Sequence, residues 1–223
     1  MLRKFAVVLG LLGVSALLCE ARDLEIYWID AEGGAATLIV SPSGESLLVD
    51  TANRTPDDRD AKRIMVAVQQ AGLKKIDYLL TTHFHGDHYG ALPALVKLIP
   101  IGMYFDHGPS VELNRPNVAA AYKAYEELTA GKRKSLKPGD HIPLKGVNIE
   151  VVMSGTQAIT SPLKGGGAKN AACADFKEHP PEVDPDIGRS SWHNRRCSFR
   201  RALSGARFHV GNWLNPPGPR LGA

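Results

Sequence analysis

The sequence predicts a mixed α/β fold, and two observations support this class. Residues 24–50 contain apolar runs separated by the turn sequence Ser41-Pro42-Ser43-Gly44, which predicts paired strands. From residue 55 onward, candidate helices alternate with candidate strands, a pattern typical of a sheet with helices packed on its outside. With 223 residues and 43% apolar composition, the chain can form a packed core of ordinary size.

The helices are predicted from their start signals and from the spacing of apolar residues. Residues 55–58 offer a capping threonine, a proline at the first helical position and acids in the first turn. Ile64, Val68 and Ala71 then share one face of a helix that ends at Gly72. The other predicted elements are helices over residues 91–98 and 117–128, strands over residues 76–82, 101–105 and 147–153, and a long loop over residues 155–185.

The most distinctive pattern is the run His83-Phe84-His85-Gly86-Asp87-His88, which directly follows the apolar residues 76–82. Imidazoles and a carboxylate are the ligands that suit a borderline divalent cation such as zinc. Structural zinc fingers usually need thiolates, and this run has none, so it indicates a catalytic metal site. Its place after a buried strand is where α/β proteins build sites. The alternative is a histidine-rich surface loop.

The pattern H-x-H-x-D-H after a strand resembles the signature of the metallo-β-lactamase-fold hydrolases. That family also has an aspartate closing an earlier strand, and Asp50 stands in that place after residues 46–49. Residues 24–30 and 33–40 look most like exported members related to the metallo-hydrolase domain of bacterial competence proteins. The resemblance covers about residues 24–186 and implies an αββα sandwich, which we expect to be incomplete in its second half.

The resemblance also implies a chemistry for the motif. His83 and His85 would bind one metal ion, and Asp87 and His88 a second; one or two zinc ions are expected, with manganese as the alternative. A metal-activated hydroxide, oriented by Asp87, would attack an ester, amide or phosphodiester. Asp50 would support the ligand loop through hydrogen bonds, or is simply a polar strand end.

The second half of the family's site requires a third histidine, a bridging aspartate and a last histidine, and these are not evident here. His107, just after a predicted strand, is the best additional candidate, although it matches no ligand position of the family. Asn212 stands where a bridging aspartate would be expected, and an amide replaces a bridging carboxylate poorly. The remaining histidines, which we expect to be surface residues, are His141, His179, His193 and His209.

The N-terminus predicts export. Arg3 and Lys4 precede an uncharged apolar run over residues 5–18, followed by Cys19-Glu20-Ala21. This is the pattern of a signal peptide over residues 1–21, which places the mature protein in the periplasm or outside the cell. The alternatives are a membrane anchor, for which the run is short, and a lipoprotein attached through Cys19. After cleavage no stable membrane span is expected, and whether Cys173 and Cys197 pair stays open.

The composition changes after Asp186, so we divide the rest of the chain into a domain over residues 22–186 and a tail over residues 187–223. The tail has seven arginines, no lysine and no carboxylate, and only its residues 206–214 have a strand-like pattern. An arginine-rich arm binding nucleic acid, with Trp192 or Trp213 stacking on bases, is one interpretation. The other is a truncated or frame-changed, non-catalytic fragment with a partial metal site. The substrate, a small molecule or a phosphodiester, and the oligomeric state are not determined by the sequence.

Overall fold

The computed structural model describes residues 23–161, Leu163 and the backbone of residues 206–210. It contains eleven strands and four helices within those residues. The strands are β1 (Leu24–Trp28), β2 (Thr37–Val40), β3 (Ser46–Val49), β4 (Ile76–Leu80), β5 (Ile101–Asp106), β6 (Arg133–Ser135), β7 (His141–Ile142), β8 (Ile149–Glu150), β9 (Met153–Ser154), β10 (Gln157–Ala158) and β11 (Ala206–Val210). The helices are α1 (Arg59–Gln70), α2 (Gly86–Tyr89), α3 (Leu92–Leu95) and α4 (Pro116–Thr129).

One seven-stranded sheet, in the order β11-β1-β2-β3-β4-β5-β6, forms the centre of the described structure. The first strands make antiparallel pairs, as the turn at residues 41–44 predicts, whereas β3, β4, β5 and β6 run parallel. Two small hairpins, β7–β8 and β9–β10, follow. The expected mixed α/β class is therefore confirmed.

The sheet separates two groups of buried apolar residues. On the helical side, Ile64 and Val68 of α1 pack with Leu38, Leu48 and Leu79 of the strands, as the spacing in the helix predicts. On the other side, Leu47 and Phe105 pack with apolar residues that follow β6, namely Leu136, Ile142 and Leu144. Burial on both faces explains why the central strands have near-continuous apolar sequences.

Helix α1 begins three residues later than the start signals predict. Asp58 has φ 55°, in the left-handed region, so the helical backbone starts only at Arg59. Thr55 still contributes, because its Oγ1 accepts a hydrogen bond from the Arg59 backbone N–H at 2.8 Å. The threonine therefore satisfies one of the amide groups that a helix start leaves without an intrahelical partner.

The strand predicted over residues 147–153 is divided in two. Val151 lies between β8 and β9, where its N–H donates to Asp140 O and its C=O accepts from Gly139 N, at 2.8 and 2.7 Å. The turn around residues 139–140 therefore takes the hydrogen bonds that a continuous strand would use.

Strand β11 comes from the arginine-rich tail and pairs in parallel with β1. Its residues 206–210 lie within the part of the tail where the sequence predicts a strand. The division of the chain at residue 186 stays a prediction, and the loop predicted over residues 155–185 lies mostly outside the described residues. Among the helices that the structure describes, none has the length and apolar character needed to span a bilayer.

Candidate metal centre

The candidate site lies where three neighbouring parallel strands end. Val49 of β3 is paired with Leu80 of β4, and Leu80 with Phe105 of β5, so their carboxyl ends reach one edge of the sheet together. Asp50 follows the first strand, and the histidine motif begins three residues after the second. This is the edge at which open α/β sheets place their ligands.

Asp50 is the most constrained polar residue at this edge. Its side chain is buried, with 2% of the residue exposed, and its carboxylate accepts hydrogen bonds from the backbone N–H and the hydroxyl of Thr82, both at 2.7 Å. His88 Nδ1 lies 2.7 Å from the same carboxylate. Because an ionised carboxylate only accepts, Nδ1 carries the proton in this contact, and Nε2 is the nitrogen of His88 assigned to a metal.

The backbone of Asp50 is also unusual. Its φ of 60° lies in the left-handed region, which Asp tolerates better than most residues other than Gly. This conformation turns the chain out of β3 while the Asp50 N–H still donates to Leu80 O at 2.8 Å. Asp50 thus contacts the loop that carries the motif through hydrogen bonds, and its supporting role at a metal site stays a prediction.

The ligand loop is tied to its neighbours through the backbone. The Thr51 N–H donates to His88 O at 2.7 Å, and the Ala35 N–H donates to Asp87 O at 3.1 Å. A Cβ added at Gly34 would lie 2.7 Å from Asp87 O, and one added at Gly90 would lie 2.2 Å from Gly86 O. Glycine is thus required at positions 34 and 90 for the chain to approach the loop this closely.

The three imidazole rings of the motif lie side by side. The ring centres of His83 and His88 are 3.9 Å apart, and those of His83 and His85 are 4.7 Å apart. Asp87 Oδ2 lies 3.7 Å from His88 Nε2. The motif therefore brings together the four donor groups that the sequence predicts.

The donor set fits a divalent metal in its chemistry, since it offers three imidazoles and a carboxylate without a thiolate. Two ligands of one tetrahedral zinc ion, each about 2.1 Å from it, lie about 3.4 Å apart, close to the separation of Asp87 Oδ2 and His88 Nε2. Within the described residues, however, no three His, Cys, Asp or Glu side chains enclose a single ion. The donor types therefore fit a metal, whereas their arrangement among the described residues does not enclose one.

The electrostatics at His88 favour a cation. Burial lowers the pKa of His88, but the hydrogen bond to Asp50 and the charges of Asp50 and Asp87 outweigh it, so the pKa of His88 is raised above its ordinary value. The negative charges of Asp50 and Asp87, which favour the protonated imidazole of His88, would also favour a metal cation bound to the neutral imidazole.

Glu112 lies beside His85 of the motif, and the sequence does not identify it as a residue of the site. It lies in the loop after β5, is 9% exposed, and places Oε2 3.6 Å from His85 Nε2. Its other oxygen accepts a hydrogen bond from Arg115 Nη1 at 2.7 Å. A single glutamate in an irregular loop has no periodicity or spacing that would identify it in advance.

An aromatic cluster supports the loop from behind. Phe84, between the first two histidines of the motif, contacts Tyr89, Tyr122 and Tyr125 with ring centres 4.8–5.6 Å apart. The ring of His107, the best additional ligand candidate, packs at a tilt against Phe84 with the ring centres 5.2 Å apart, and its buried Nε2 has no hydrogen-bond partner. The structure thus places His107 in packing beside the motif.

A buried ion pair anchors this cluster. Asp106, 1% exposed, accepts hydrogen bonds from Arg133 Nε at 2.5 Å, Tyr125 OH at 3.1 Å and Ser135 Oγ at 2.8 Å. It also accepts one from the Gly108 N–H at 2.8 Å. The start of the loop that carries Glu112 is therefore fixed to β6 and α4.

The other predicted candidates do not join the motif in the described structure. His141 is exposed on the β7–β8 hairpin, where its Nδ1 lies 3.0 Å from Asn148 Oδ1. His209 lies in β11, whose backbone alone is described. The residues that fall outside the described part of the chain are Cys19, Cys173, His179, Trp192, His193, Cys197, Asn212 and Trp213.

A family comparison assigns the fold. The model of the metallo-beta-lactamase superfamily matches residues 29–157, which is more than half of the chain and includes Asp50, the whole histidine motif and Glu112. The chain belongs to the metallo-beta-lactamase superfamily. Membership confirms the resemblance of the motif to this superfamily. The likeness to competence proteins stays a prediction.

Curated relatives match only part of the chain. An atrochrysone carboxyl ACP thioesterase from Cryptosporiopsis sp. is 35% identical over 79 residues, which are 34% of this chain and 24% of that protein. A UPF0173 metal-dependent hydrolase from Cupriavidus necator is 36% identical over 88 residues, 38% of this chain and 27% of that protein. The chain thus spans about a quarter of the length of these relatives.

Solved structures that the chain resembles are more distant in sequence. A subclass B3 metallo-beta-lactamase from a soil metagenome library is 18% identical, with a TM-score of 0.40 over 58% of this chain and 52% of that one. The FEZ-1 metallo-beta-lactamase from Legionella gormanii is also 18% identical, with a TM-score of 0.41 over 57% of this chain and 49% of that one.

Proposed function

We propose that this superfamily member is an exported hydrolase that uses one or two zinc ions, or manganese in their place, to cleave an ester, amide or phosphodiester. The observation that carries the proposal is the contact of Asp50 with both Thr82 and His88, each at 2.7 Å. It fixes the histidine motif at the sheet edge and orients one imidazole for a metal.

Each residue of the motif has a separate role in this proposal. His83 and His85 hold one metal ion, while Asp87 and His88 hold a second. When bound, the metal supplies Lewis acid chemistry toward a water nucleophile and the scissile centre. The Asp87 carboxylate oxygen that does not bind the metal accepts a hydrogen bond from the attacking water. This oxygen orients the water and receives its proton.

The substrate class rests on narrower support. One relative is named a thioesterase and another a metal-dependent hydrolase, so esters and thioesters are the first substrates to test, followed by phosphodiesters.

Metal content tests the proposal directly. Purified protein should hold at least about one equivalent of zinc or manganese, and the double variant His83→Ala/His85→Ala should lose most of it. His141→Ala is the matched control, because it removes an exposed imidazole on a distant hairpin. A content below about half an equivalent, unchanged in the double variant, contradicts the proposal.

A non-catalytic fragment with a partial metal site is the second candidate. It is favoured by the finding that, in the described part of the chain, no three ligand side chains enclose one ion. Hydrolysis of an aryl ester, a bis-aryl phosphodiester or a cephalosporin separates the two candidates. A rate that is abolished by a chelator and by His88→Ala rules out the fragment.

Export is proposed from the sequence of residues 1–21 alone. The test is the N-terminal sequence of protein recovered from the periplasm or medium of an expressing bacterium. A mature chain that begins at Arg22 supports cleavage, whereas an intact Met1 in the cell interior contradicts export.

A further inference from the structure

The burial of Glu112 requires an explanation beyond its local partner. A carboxylate that leaves water costs free energy unless it is paired. The side chain of Arg115, three residues away, is more than half exposed. The Glu112–Arg115 ion pair therefore does not itself require Glu112 to be buried. The Glu112 side chain is instead only 11% exposed and points its second oxygen toward His85.

Glu112 lies beside one of the two ring nitrogens of His85. Oε2 lies 3.6 Å from Nε2, which is ion-pair distance and slightly longer than a hydrogen bond. A carboxylate held there favours the imidazole form with its proton on Nε2, because that form donates toward the charge. Nδ1 is then the ring nitrogen of His85 without a proton.

The two carboxylates of the site therefore act on opposite nitrogens. Asp50 contacts Nδ1 of His88 at 2.7 Å, whereas Glu112 faces Nε2 of His85. We propose that Glu112 is a positioning residue that fixes the tautomer and ring orientation of His85. This inference rests on the proposed metal-dependent function.

Arg115 completes the arrangement. Its Nη1 donates to Oε1 of Glu112 at 2.7 Å, which leaves Oε2 directed at the imidazole. The Glu112 N–H also donates to Ser110 Oγ at 3.3 Å, so the backbone of the loop is held locally. Glu112 thus faces His85 from a loop whose start is fixed through Asp106.

Nitrogen NMR of the histidine rings tests the positioning without a metal. In metal-free protein, at a pH well above the ordinary imidazole value of about 6.5, His85 should be predominantly the Nε2–H tautomer; its signals are assigned by their loss in His85→Asn. Glu112→Ala should give a mixture of tautomers. Glu112→Gln should also lose the preference for Nε2–H, because its single amide oxygen accepts from Arg115 and its NH2 group then faces the imidazole. An unchanged tautomer in Glu112→Ala overturns the inference.

Zinc titration of the same variants gives the second measurement. Glu112→Ala should weaken zinc binding about 10–100-fold, the usual effect of removing a group that orients a ligand, and Glu112→Gln should weaken it as well, because its amide oxygen is taken by Arg115. The matched control is Glu127→Ala, since Glu127 is a solvent-exposed glutamate of α4 whose side chain is 69% exposed. If wild type and Glu112→Ala bind zinc with equal affinity, the inference about Glu112 is overturned, whereas the proposed metal site is not.

Two further outcomes are decisive. If zinc X-ray absorption shows that Glu112→Ala removes an oxygen neighbour of the metal, Glu112 is a direct ligand and the positioning role is wrong. If the wild-type protein binds no zinc or manganese, the proposed function fails, and the tautomer measurement alone then decides whether Glu112 orients His85.

Discussion

Replacing Asp50 by Ala should destabilise the domain and weaken metal binding together. The side chain is buried and makes three contacts of 2.7 Å, two with Thr82 and one with His88. Leaving a buried donor without a partner costs about 1–3 kcal/mol, and a further lost hydrogen bond about 1 kcal/mol. Alanine in a left-handed conformation adds about 1 kcal/mol. The expected loss in the free energy of unfolding is about 3–5 kcal/mol.

Asp50→Asn is the matched variant, because asparagine tolerates the left-handed backbone and keeps one oxygen that can accept from the Thr82 N–H. It loses the charge that faces His88. We therefore expect a smaller loss of about 1–2 kcal/mol, with zinc binding weakened about 10–100-fold in both variants.

The assay is urea unfolding of metal-free protein followed by circular dichroism, with zinc titration of the same samples. The contacts of Asp50 would not support the ligand loop if Asp50→Ala unfolded within about 1 kcal/mol of wild type. Unchanged zinc affinity in Asp50→Asn would show that the charge of Asp50 has no part in orienting His88.

Three further predictions follow from packing and charge. Gly90→Ala should lower the free energy of unfolding in urea by about 1–3 kcal/mol, because the new Cβ would lie 2.2 Å from a backbone oxygen. The control Gly86→Ala, whose Cβ would have no atom within 4 Å, should lower it by less than about 1 kcal/mol. Equal losses in the two variants would contradict the close backbone approach at Gly90. Asp106→Ala should cost about 3–5 kcal/mol by leaving Arg133 without its buried partner, and a loss below about 1 kcal/mol would show that the pair does not stabilise the fold. Burial acts to raise the pKa of Asp77, but hydrogen bonds from Lys75 and Ser46 outweigh it and hold the pKa below 3.8. The ionised form therefore stabilises the fold above pH 3.8, and this stability is lost as the pH falls through the folded pKa; Asp77→Asn should be less stable than wild type at neutral pH, and a difference that does not shrink in acid would refute this.

The sequence predicts the part of the site that depends on short-range pattern. The motif from His83 to His88 is contiguous, and its place after a parallel strand follows from the apolar run before it. Asp50 is 33 residues before His83, and it is identified through the resemblance to the family, which has an aspartate closing an earlier strand. In the structure the parallel strands β3 and β4 bring Asp50 and the motif to the same edge of the sheet. Recognition of the superfamily added the role that periodicity alone does not supply.

What the sequence does not predict depends on contacts between distant loops. Glu112 faces His85 only because Asp106 ties the preceding loop to Arg133 and Tyr125, and no local signal encodes that arrangement. The start of α1 was missed for a related reason, since Asp58 adopts a left-handed conformation where the residue types also allow a helical turn. Backbone strain and loop packing are determined by the whole fold.

Metal affinity and fold stability should be coupled in this domain. Asp50 contacts Thr82, the residue directly before the motif, and His88, a proposed metal ligand. A metal that binds only the folded chain stabilises it by about 2.7 kcal/mol at a free concentration of 100 times the Kd. Removing Asp50 therefore lowers stability twice, once through its own hydrogen bonds and again through weaker metal binding. Since the second effect disappears with a chelator, the difference in unfolding free energy between wild type and Asp50→Asn should be larger with zinc than without it.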